Sequence, residues 1–366
     1  MRPTKTLWLL AVLFLLCSCS SNETEPNAKT SPQATKKASE SPDVDTSPVS
    51  EPPETVGGSV TYLDGKILRQ WDVESGSSER IVKLPSVDVV ASLDASRIAY
   101  VTSSQPSSQD EDFIASPELH LYDIESGDDT TIGPGLTPIW HTDGDRFVYV
   151  EPVEERVCEG EVCDGSDRVV VADVVSEARE TILDAAAWTP LGWLGDEVVV
   201  SDQRAKPKTI AVSESGDVRP VDIPPSEFWG ASPDGKWIVR SIAGTAEFSS
   251  PDGSEASGFD LGGGILGVGS WSPNSKEIAS VLLEDAGTGK TGLVRLGPDS
   301  NEPVFLDGSE GAAGPVLWSP DGLSLLYARA TGANGLDLEA VLCEVEAGNC
   351  QSLFSWTRGV TLLAVS

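Results

Sequence analysis

The amino-acid sequence predicts an all-β fold, and three observations lead to that prediction. A short phrase recurs six times in the 366 residues: an aromatic or small residue, two or three turn formers, an Asp and an apolar run. Between the copies, strand-like segments alternate with short turns of Gly, Asp and Ser. No unit has a long amphipathic helical pattern, so each unit is expected to consist of hairpins.

The spacing of the phrase predicts a β-propeller. The copies begin at residues 91, 140, 193, 231, 271 and 318, so the steps are 49, 53, 38, 40 and 47 residues. A four-stranded propeller blade takes about 40–50 residues. The clearest copies, Trp318-Ser319-Pro320-Asp321-Gly322 and Ala231-Ser232-Pro233-Asp234-Gly235, predict type I turns that lead into buried strands.

The two ends of the repeat region are expected to share one blade. Three strand candidates, Ser59–Leu63, Lys66–Trp71 and Arg80–Leu84, lack an innermost strand, and residues 359–365 form one strand without partners. Pairing them hides both edges. We therefore expect seven four-stranded blades with a closing blade of N- and C-terminal strands. Six or eight blades stay open as alternatives, because the copy at Trp193 is short and irregular.

The aspartates and tryptophans of the phrase recur in most copies, which favours structural roles for both. The aspartates of the phrase could suggest paired glycosidase carboxylates, but a catalytic pair would occur in one or two blades, so turn capping explains the recurrence better. They are Asp94, Asp143, Asp196, Asp234 and Asp321. The tryptophans that begin four copies are expected to fill space between blades. They are Trp140, Trp193, Trp271 and Trp318.

Other motifs give no catalytic or cofactor site. Gly287-Thr288-Gly289-Lys290-Thr291 lacks the first Gly of a phosphate loop and is expected to be a hairpin turn. The two histidines, His120 and His141, are too few for a zinc site, and no nucleophile elbow accompanies them. We therefore predict no catalytic, metal-binding or cofactor-binding residues and no cofactor.

The Trp-Ser-Pro-Asp-Gly phrases resemble the repeat of the TolB-like β-propeller proteins over residues 59–366. The resemblance implies the propeller fold and says little about function, since the repeat occurs in Tol-system components, peptidase propellers and surface lipoproteins. The chain is expected to lack the additional α/β domain of the Tol protein and the α/β-hydrolase domain of the peptidases.

The N-terminal residues predict a bacterial lipoprotein. Arg2 and Lys5 precede an apolar run from Leu7 to Leu16, too short to span a bilayer, and Leu16-Cys17-Ser18-Cys19 resembles a lipobox. We expect a signal peptide over 1–18, acylation of Cys19, a Pro- and Ser-rich disordered tether over 19–57 and the propeller over 58–366. The alternative is an ordinary secretory signal that ends near Cys19, and either version leaves the cytoplasm.

The remaining four cysteines fit an oxidising compartment. Cys158 and Cys163 form one local pair, and Cys343 and Cys350 flank a predicted hairpin turn, so we expect two disulfides. The rival interpretation, a four-cysteine metal site, requires pairs on different blades to converge.

The charge of the propeller limits its partners. The first 57 residues hold five of the 25 basic and seven of the 58 acidic residues, which leaves −31 on the remainder. Such a surface repels nucleic acid and anionic lipid headgroups. Its acidity favours solubility. The more specific alternative is that the acidic surface binds Ca²⁺ or a basic partner protein. The candidate residues for such a site are Asp110-Glu111-Asp112 and Asp128-Asp129.

These observations predict a membrane-anchored, monomeric binding platform for a protein or cell-wall partner. The long stretches 103–117 and 151–167 are the first candidates for the binding loops. The alternative is an extracytoplasmic propeller enzyme, a lactonase, lyase or glycan hydrolase that works in the axial channel, with or without Ca²⁺. A sensory or accessory lipoprotein of an envelope system is a third interpretation.

Overall fold

The computed structural model describes the second of two compact units of the chain, Glu54–Ser366. It describes residues 58–366 except 87, 104–112, 116, 154–155, 160–161, 165–166, 185–187, 203–207, 225–226, 243, 262–264, 268, 284–290, 301 and 332–336. The predicted signal peptide and tether lie outside these residues.

The described residues form strands and turns and contain no helix. Blade 1 contains β1 (Ser59–Asp64), β2 (Ile67–Asp72) and β3 (Ser77–Lys83). Blade 2 and its connection contain β4 (Val89–Ala91), β5 (Arg97–Ser103), β6 (Phe113–Ala115), β7 (Pro117–Asp123) and β8 (Asp129–Pro134). Blade 3 and its connection contain β9 (Leu136–Trp140), β10 (Arg146–Pro152), β11 (Arg156–Glu159), β12 (Val162–Asp164), β13 (Asp167–Asp173) and β14 (Arg179–Asp184).

The later blades follow the same plan. Blade 4 contains β15 (Trp188–Leu194), β16 (Glu197–Asp202), β17 (Lys208–Val212) and β18 (Val218–Val221). Blade 5 contains β19 (Phe228–Ala231), β20 (Ile238–Ile242), β21 (Thr245–Ser249) and β22 (Ala256–Asp260). Blade 6 contains β23 (Ile265–Leu266), β24 (Ser270–Trp271), β25 (Ile278–Leu283), β26 (Thr291–Leu296) and β27 (Val304–Phe305). Blade 7 contains β28 (Ala312–Trp318), β29 (Ser324–Ala330), β30 (Leu338–Glu344) and β31 (Cys350–Trp356), and β32 (Val360–Val365) follows.

The chain is a seven-bladed all-β propeller, as the sequence predicts. Each blade is a four-stranded antiparallel sheet, and β23 and β24 are the two parts of one interrupted innermost strand in blade 6. The C-terminal strand β32 is the innermost strand of blade 1 and pairs with β1. The predicted closing blade is thereby confirmed.

Because neighbouring strands of a blade are antiparallel, the connections between them lie alternately at its two ends. Connections from the innermost to the second strand and from the third to the outermost strand lie at one end, which we call the turn face. Connections from the second to the third strand, and from one blade to the next, lie at the other end, the loop face. The repeated Asp phrase therefore lies on the turn face, and the long stretches 103–117 and 151–167 belong to the loop face.

The core consists of seven clusters of buried apolar side chains, one at each seam between neighbouring blades. Successive residues of a strand point to opposite faces, so one strand serves two seams. Ile278 packs toward blade 5, and the next residue, Ala279, packs toward blade 7. Each sheet is thus covered on both sides by its neighbours.

Tryptophans at the ends of innermost strands connect the blades. Trp140, Trp193 and Trp318 each donate Nε1–H to a backbone carbonyl of the preceding blade. The acceptors are Val90, Ile139 and Ser270, at 3.1, 3.1 and 2.8 Å. Within the described residues, the buried Nε1 of Trp271 has no acceptor. The predicted role of these side chains between blades is therefore confirmed, and three of them also make a specific inter-blade hydrogen bond.

The Asp of the phrase organises the turn that precedes the second strand. In four blades a hydroxyl donates to the carboxylate or amide oxygen two residues later, at 2.5–2.8 Å. The pairs are Ser92–Asp94, Ser232–Asp234, Ser272–Asn274 and Ser319–Asp321. The same oxygens of Asp or Asn accept a backbone N–H two residues further on. This network explains the recurrence of the aspartates by turn capping.

We expect Trp318→Phe to lower the free energy of unfolding by about 1–3 kcal/mol, because it removes the hydrogen bond to the Ser270 carbonyl and part of a buried ring from this seam. Trp271→Phe is the matched control, since its Nε1–H has no acceptor to lose, and it should cost at least about 1 kcal/mol less. Urea denaturation followed by circular dichroism measures both values. Equal losses would contradict the hydrogen-bond role.

The turn aspartates also predict a dependence of stability on pH. Burial raises the pKa of Asp234, but hydrogen bonds from Lys236 and Ser232 outweigh it and hold the pKa below the ordinary value of 3.8. A lowered pKa in the folded state gives stability that is present above pH 3.8 and is lost as the pH falls through the folded value.

We therefore expect Asp234→Asn to make the free energy of unfolding fall less steeply than that of the native protein between about pH 4 and pH 2. Asn274 of blade 6 already accepts the equivalent hydrogen bonds, so the turn itself should persist. Asp299→Asn, an exposed position outside these turns, serves as control. Denaturation series at each pH would count against the assignment if Asp234→Asn kept the native slope.

Candidate functional site

Two long connections on the loop face pair with each other. β6, from the connection within blade 2, is antiparallel to β11, from the connection within blade 3, and β11 pairs with β12. The registers join Ala115 with Arg156 and Phe113 with Cys158. We call this three-stranded sheet, β6-β11-β12, the accessory sheet. Its strands belong to the two stretches that the sequence singled out as binding loops, 103–117 and 151–167.

The blades do not need this additional chain. β5 and β7 are paired as far as Ser103 and Pro117, and β10 and β13 as far as Pro152 and Asp167. A tight turn would close either hairpin at those residues. Gly65 and Lys66 alone make the corresponding connection in blade 1. The accessory sheet is therefore an elaboration of the loop face and not part of the blade framework.

The structure describes one of the two predicted disulfides, and the side chains of the other pair lie outside the described residues. Cys343 and Cys350 are opposite each other in the β30–β31 pair and are bonded. Cys158 and Cys163 are also opposite each other, on β11 and β12. Their backbone register suits a disulfide that would join two strands of the accessory sheet, and this bond stays a prediction.

The acidic candidates for a Ca²⁺ site do not form one described cluster. Asp110-Glu111-Asp112 lies outside the described residues. Asp129 lies at the start of β8 and accepts a hydrogen bond from the Tyr100 hydroxyl at 2.6 Å. The described residues include no group of three or more His, Cys, Asp or Glu side chains placed to hold a metal ion.

His120 lies within blade 2 and has structural partners. Its ring stacks on Tyr100, with 4.8 Å between ring centroids and 7° between planes. Thr102 and Thr131 place hydroxyls 3.3 and 3.4 Å from its two ring nitrogens. These contacts explain His120 as part of the packing of one blade.

His141 stands where the other turns have Ser, and it belongs to a polar cluster on the turn face. Its Nδ1 lies 2.8 Å from the Asp143 carboxylate, and its Nε2 lies 3.2 Å from the carbonyl oxygen of Gly195 in blade 4. The ring also contacts Trp193 edge-on, with centroids 4.8 Å apart. His141 thus bridges blades 3 and 4.

Arg146 is the centre of this cluster, and the sequence analysis missed it. Its guanidinium contacts the carboxylates of Asp143 and Asp196 at 2.7 Å each and that of Glu214 at 2.5 Å. Burial lowers the pKa of Arg146, but the hydrogen bonds that it donates to these carboxylates outweigh burial and raise the pKa above its ordinary value. Arg97 is the equivalent residue of blade 2 and reaches Asp145 of blade 3 at 2.9 Å.

This arrangement joins blades and does not present a reactive group. All three guanidinium nitrogens of Arg146 are engaged, and both His141 nitrogens have partners. The phrase aspartates lie in turns of different blades, and the two that come together, Asp143 and Asp196, meet at the Arg146 guanidinium, which pairs with both. An Arg that opens the second strand directly after the Asp turn, in two successive blades, was the sequence signal for these inter-blade contacts.

The segment that resembled a phosphate loop connects two paired strands. Leu283 of β25 is paired with Thr291 of β26, so residues 284–290 link the strands of one hairpin. That link itself lies outside the described residues. In the part of the chain that is described, no helix is long and apolar enough to cross a bilayer.

Comparisons with known proteins find similar folds but no match by sequence. No protein-family model matches the sequence, and no curated protein matches it either. The β-propeller domain of the Trilobed protease from Pyrococcus furiosus is similar, with a TM-score of 0.54, 15% identity, and coverage of 82% of this chain and 94% of that domain. A structure from a study of two prolyl endopeptidases has a TM-score of 0.51 and 14% identity, covering 85% of this chain and 50% of that one.

TolB proteins are also among the structural neighbours. TolB from Acinetobacter baumannii is 13% identical, with a TM-score of 0.45 and coverage of 84% of this chain and 66% of TolB. The chain therefore spans about two thirds of TolB and half of the prolyl endopeptidase chain. At these identities the comparisons establish a propeller whose neighbours include both TolB proteins and peptidases, and they establish no function.

Proposed function

We propose that the protein is a TolB-like lipoprotein, anchored outside the cytoplasm through Cys19, whose loop face binds a protein or cell-wall partner. The observation that carries this proposal is the accessory sheet. This sheet consists of segments that the blades do not require, and its strands come from the connections of two neighbouring blades. Loops held on a rigid scaffold are the usual place for recognition in such folds.

The pairing of β6 with β11 supports binding in a second way. It joins the loop-face ends of blades 2 and 3, so the surface is organised before a partner arrives. A preorganised surface loses less conformational entropy on binding than mobile loops do. The predicted bond between Cys158 and Cys163 would add to this rigidity.

The N-terminal region supports the location. The predicted signal, the lipobox and the Pro-rich tether suit a domain held outside the membrane, and the bonded pair Cys343–Cys350 suits an oxidising compartment. The 38 residues that follow Cys19, residues 20–57, would as a flexible tether have an end-to-end distance of roughly 35 Å. The charge of −33 disfavours nucleic acid as the partner.

The proposal predicts that removal of the accessory sheet abolishes partner capture in intact cells. The variant replaces residues 104–116 and 153–166 by two-residue turns, which the registers at Ser103–Pro117 and Pro152–Asp167 permit. With a C-terminal tag, the native protein should crosslink to a discrete partner, and the variant should lose more than about nine tenths of that product if the hot spot lies on the sheet.

Three controls make the outcome specific. Val175→Ser with Leu323→Ser changes exposed apolar residues on the turn face and should leave capture intact. Cys19→Ser should release the protein from the membrane fraction while purified protein still binds. A thermal melt should show that the shortened variant keeps the propeller. Undiminished capture by that variant would refute the loop-face assignment, and turnover of an added lactone or glycan would favour the enzyme alternative.

A further inference from the structure

A groove lies between blade 4 and blade 5, at a different seam from the blades that carry the accessory sheet. Its volume is about 470 Å³, and its walls are the outermost strand of blade 4 and strands β20 and β21 of blade 5. Val221, Ile223 and Ile238 form an aliphatic floor and are buried. The groove does not depend on the function proposed for the loop face.

Blade 5 differs from three other blades at one position on this seam. The third residue of the apolar run is Tyr100 in blade 2, Tyr149 in blade 3 and Tyr327 in blade 7, and each ring fills the seam toward the preceding blade. Blade 5 has Arg240 at this position. Ala231 also replaces the tryptophan that connects other blades. The seam between blades 4 and 5 therefore has a guanidinium and a methyl group at two positions where other blades have aromatic rings.

The walls of the groove carry an excess of negative charge. Three carboxylates, Asp222, Glu247 and Asp252, face one guanidinium, that of Arg240. Arg240 is paired with Glu247 at 2.6 Å. Arg240 also lies 3.8 Å from the Glu227 carboxylate. Asp222 is exposed, and its charge contributes to the raised pKa of Arg240, but no direct ion pair or hydrogen bond joins it to a residue that the structure describes. Hydrogen bonds from Ser254 and Ser250 lower the pKa of Asp252 to about 2, so this carboxylate is charged at neutral pH.

We infer that this groove binds a lysine or arginine side chain of an extended basic segment in a partner protein. The aliphatic floor suits the methylene stem of such a side chain, and the two carboxylates not paired with Arg240 suit its charged end. The net charge of −33 attracts a basic segment from a distance and opposes acidic ones. Charge complementarity thus favours a basic side chain as the occupant of this groove.

The test is a fluorescence anisotropy titration of the full chain with a labelled peptide of four Lys-Ser repeats. Asp222→Asn should weaken binding about five-fold, the effect of losing one partly exposed ion pair. Ala256→Trp places a large ring at the exposed rim of the groove without changing the charge, and it should weaken binding about ten-fold or more by exclusion. The same peptide with acetylated lysines should not bind.

Glu180→Gln is the matched control, because it removes one exposed carboxylate from blade 3 and should change the affinity less than about two-fold. Equal weakening by Asp222→Asn and Glu180→Gln would mean that diffuse charge holds the peptide, and it would overturn the proposal. Native affinity in Ala256→Trp would overturn it as well. If Ala256→Trp does not fold, as judged by its melting curve, the comparison of Asp222→Asn with Glu180→Gln decides.

Discussion

The fold depends on one constraint: a four-stranded sheet with two apolar faces is stable only when both faces are covered. Each blade of this protein meets the constraint through its neighbours, which is why the buried side chains divide into seven seam clusters instead of one central core. The same constraint explains the inter-blade hydrogen bonds of Trp140, Trp193 and Trp318 and the ion pairs of Arg97 and Arg146. Polar and aromatic contacts both serve to hold one sheet against the next.

The sequence predicts the framework well because its determinants are local and repeated. A Ser two residues before an Asp predicts the capped turn, and a period near one blade length predicts the ring. The accessory sheet could not be predicted, because β6 and β11 are far apart in sequence and short strands carry no information about their partners. The contacts of Arg146 were missed for a related reason, since Asp196 and Glu214 are brought near only by the packing of blade 4 on blade 3.

Several positions depart from the repeat and give this propeller features that the blade framework does not require. His141 in place of Ser adds a contact between two blades, and Arg240 in place of Tyr lines a groove between two others. The long connections of blades 2 and 3 replace the two-residue connection of blade 1. In a repeat protein, equivalent positions of different blades can be compared with one another. A residue that differs from its equivalents in the other blades is then a candidate for a role beyond the stability of the framework.

The closing strand has a consequence for how the chain is made. Ser59 and Ser366, which are joined by backbone hydrogen bonds at 2.8 and 2.9 Å, are 307 positions apart. Bringing the two ends of such a loop together costs an entropy of roughly 5 kcal/mol, less any order already present. During synthesis, β1 must wait for its second partner until β32 emerges. Throughout that interval its exposed backbone can join a second nascent molecule, so the speed of the last step governs whether monomers or interlocked species form.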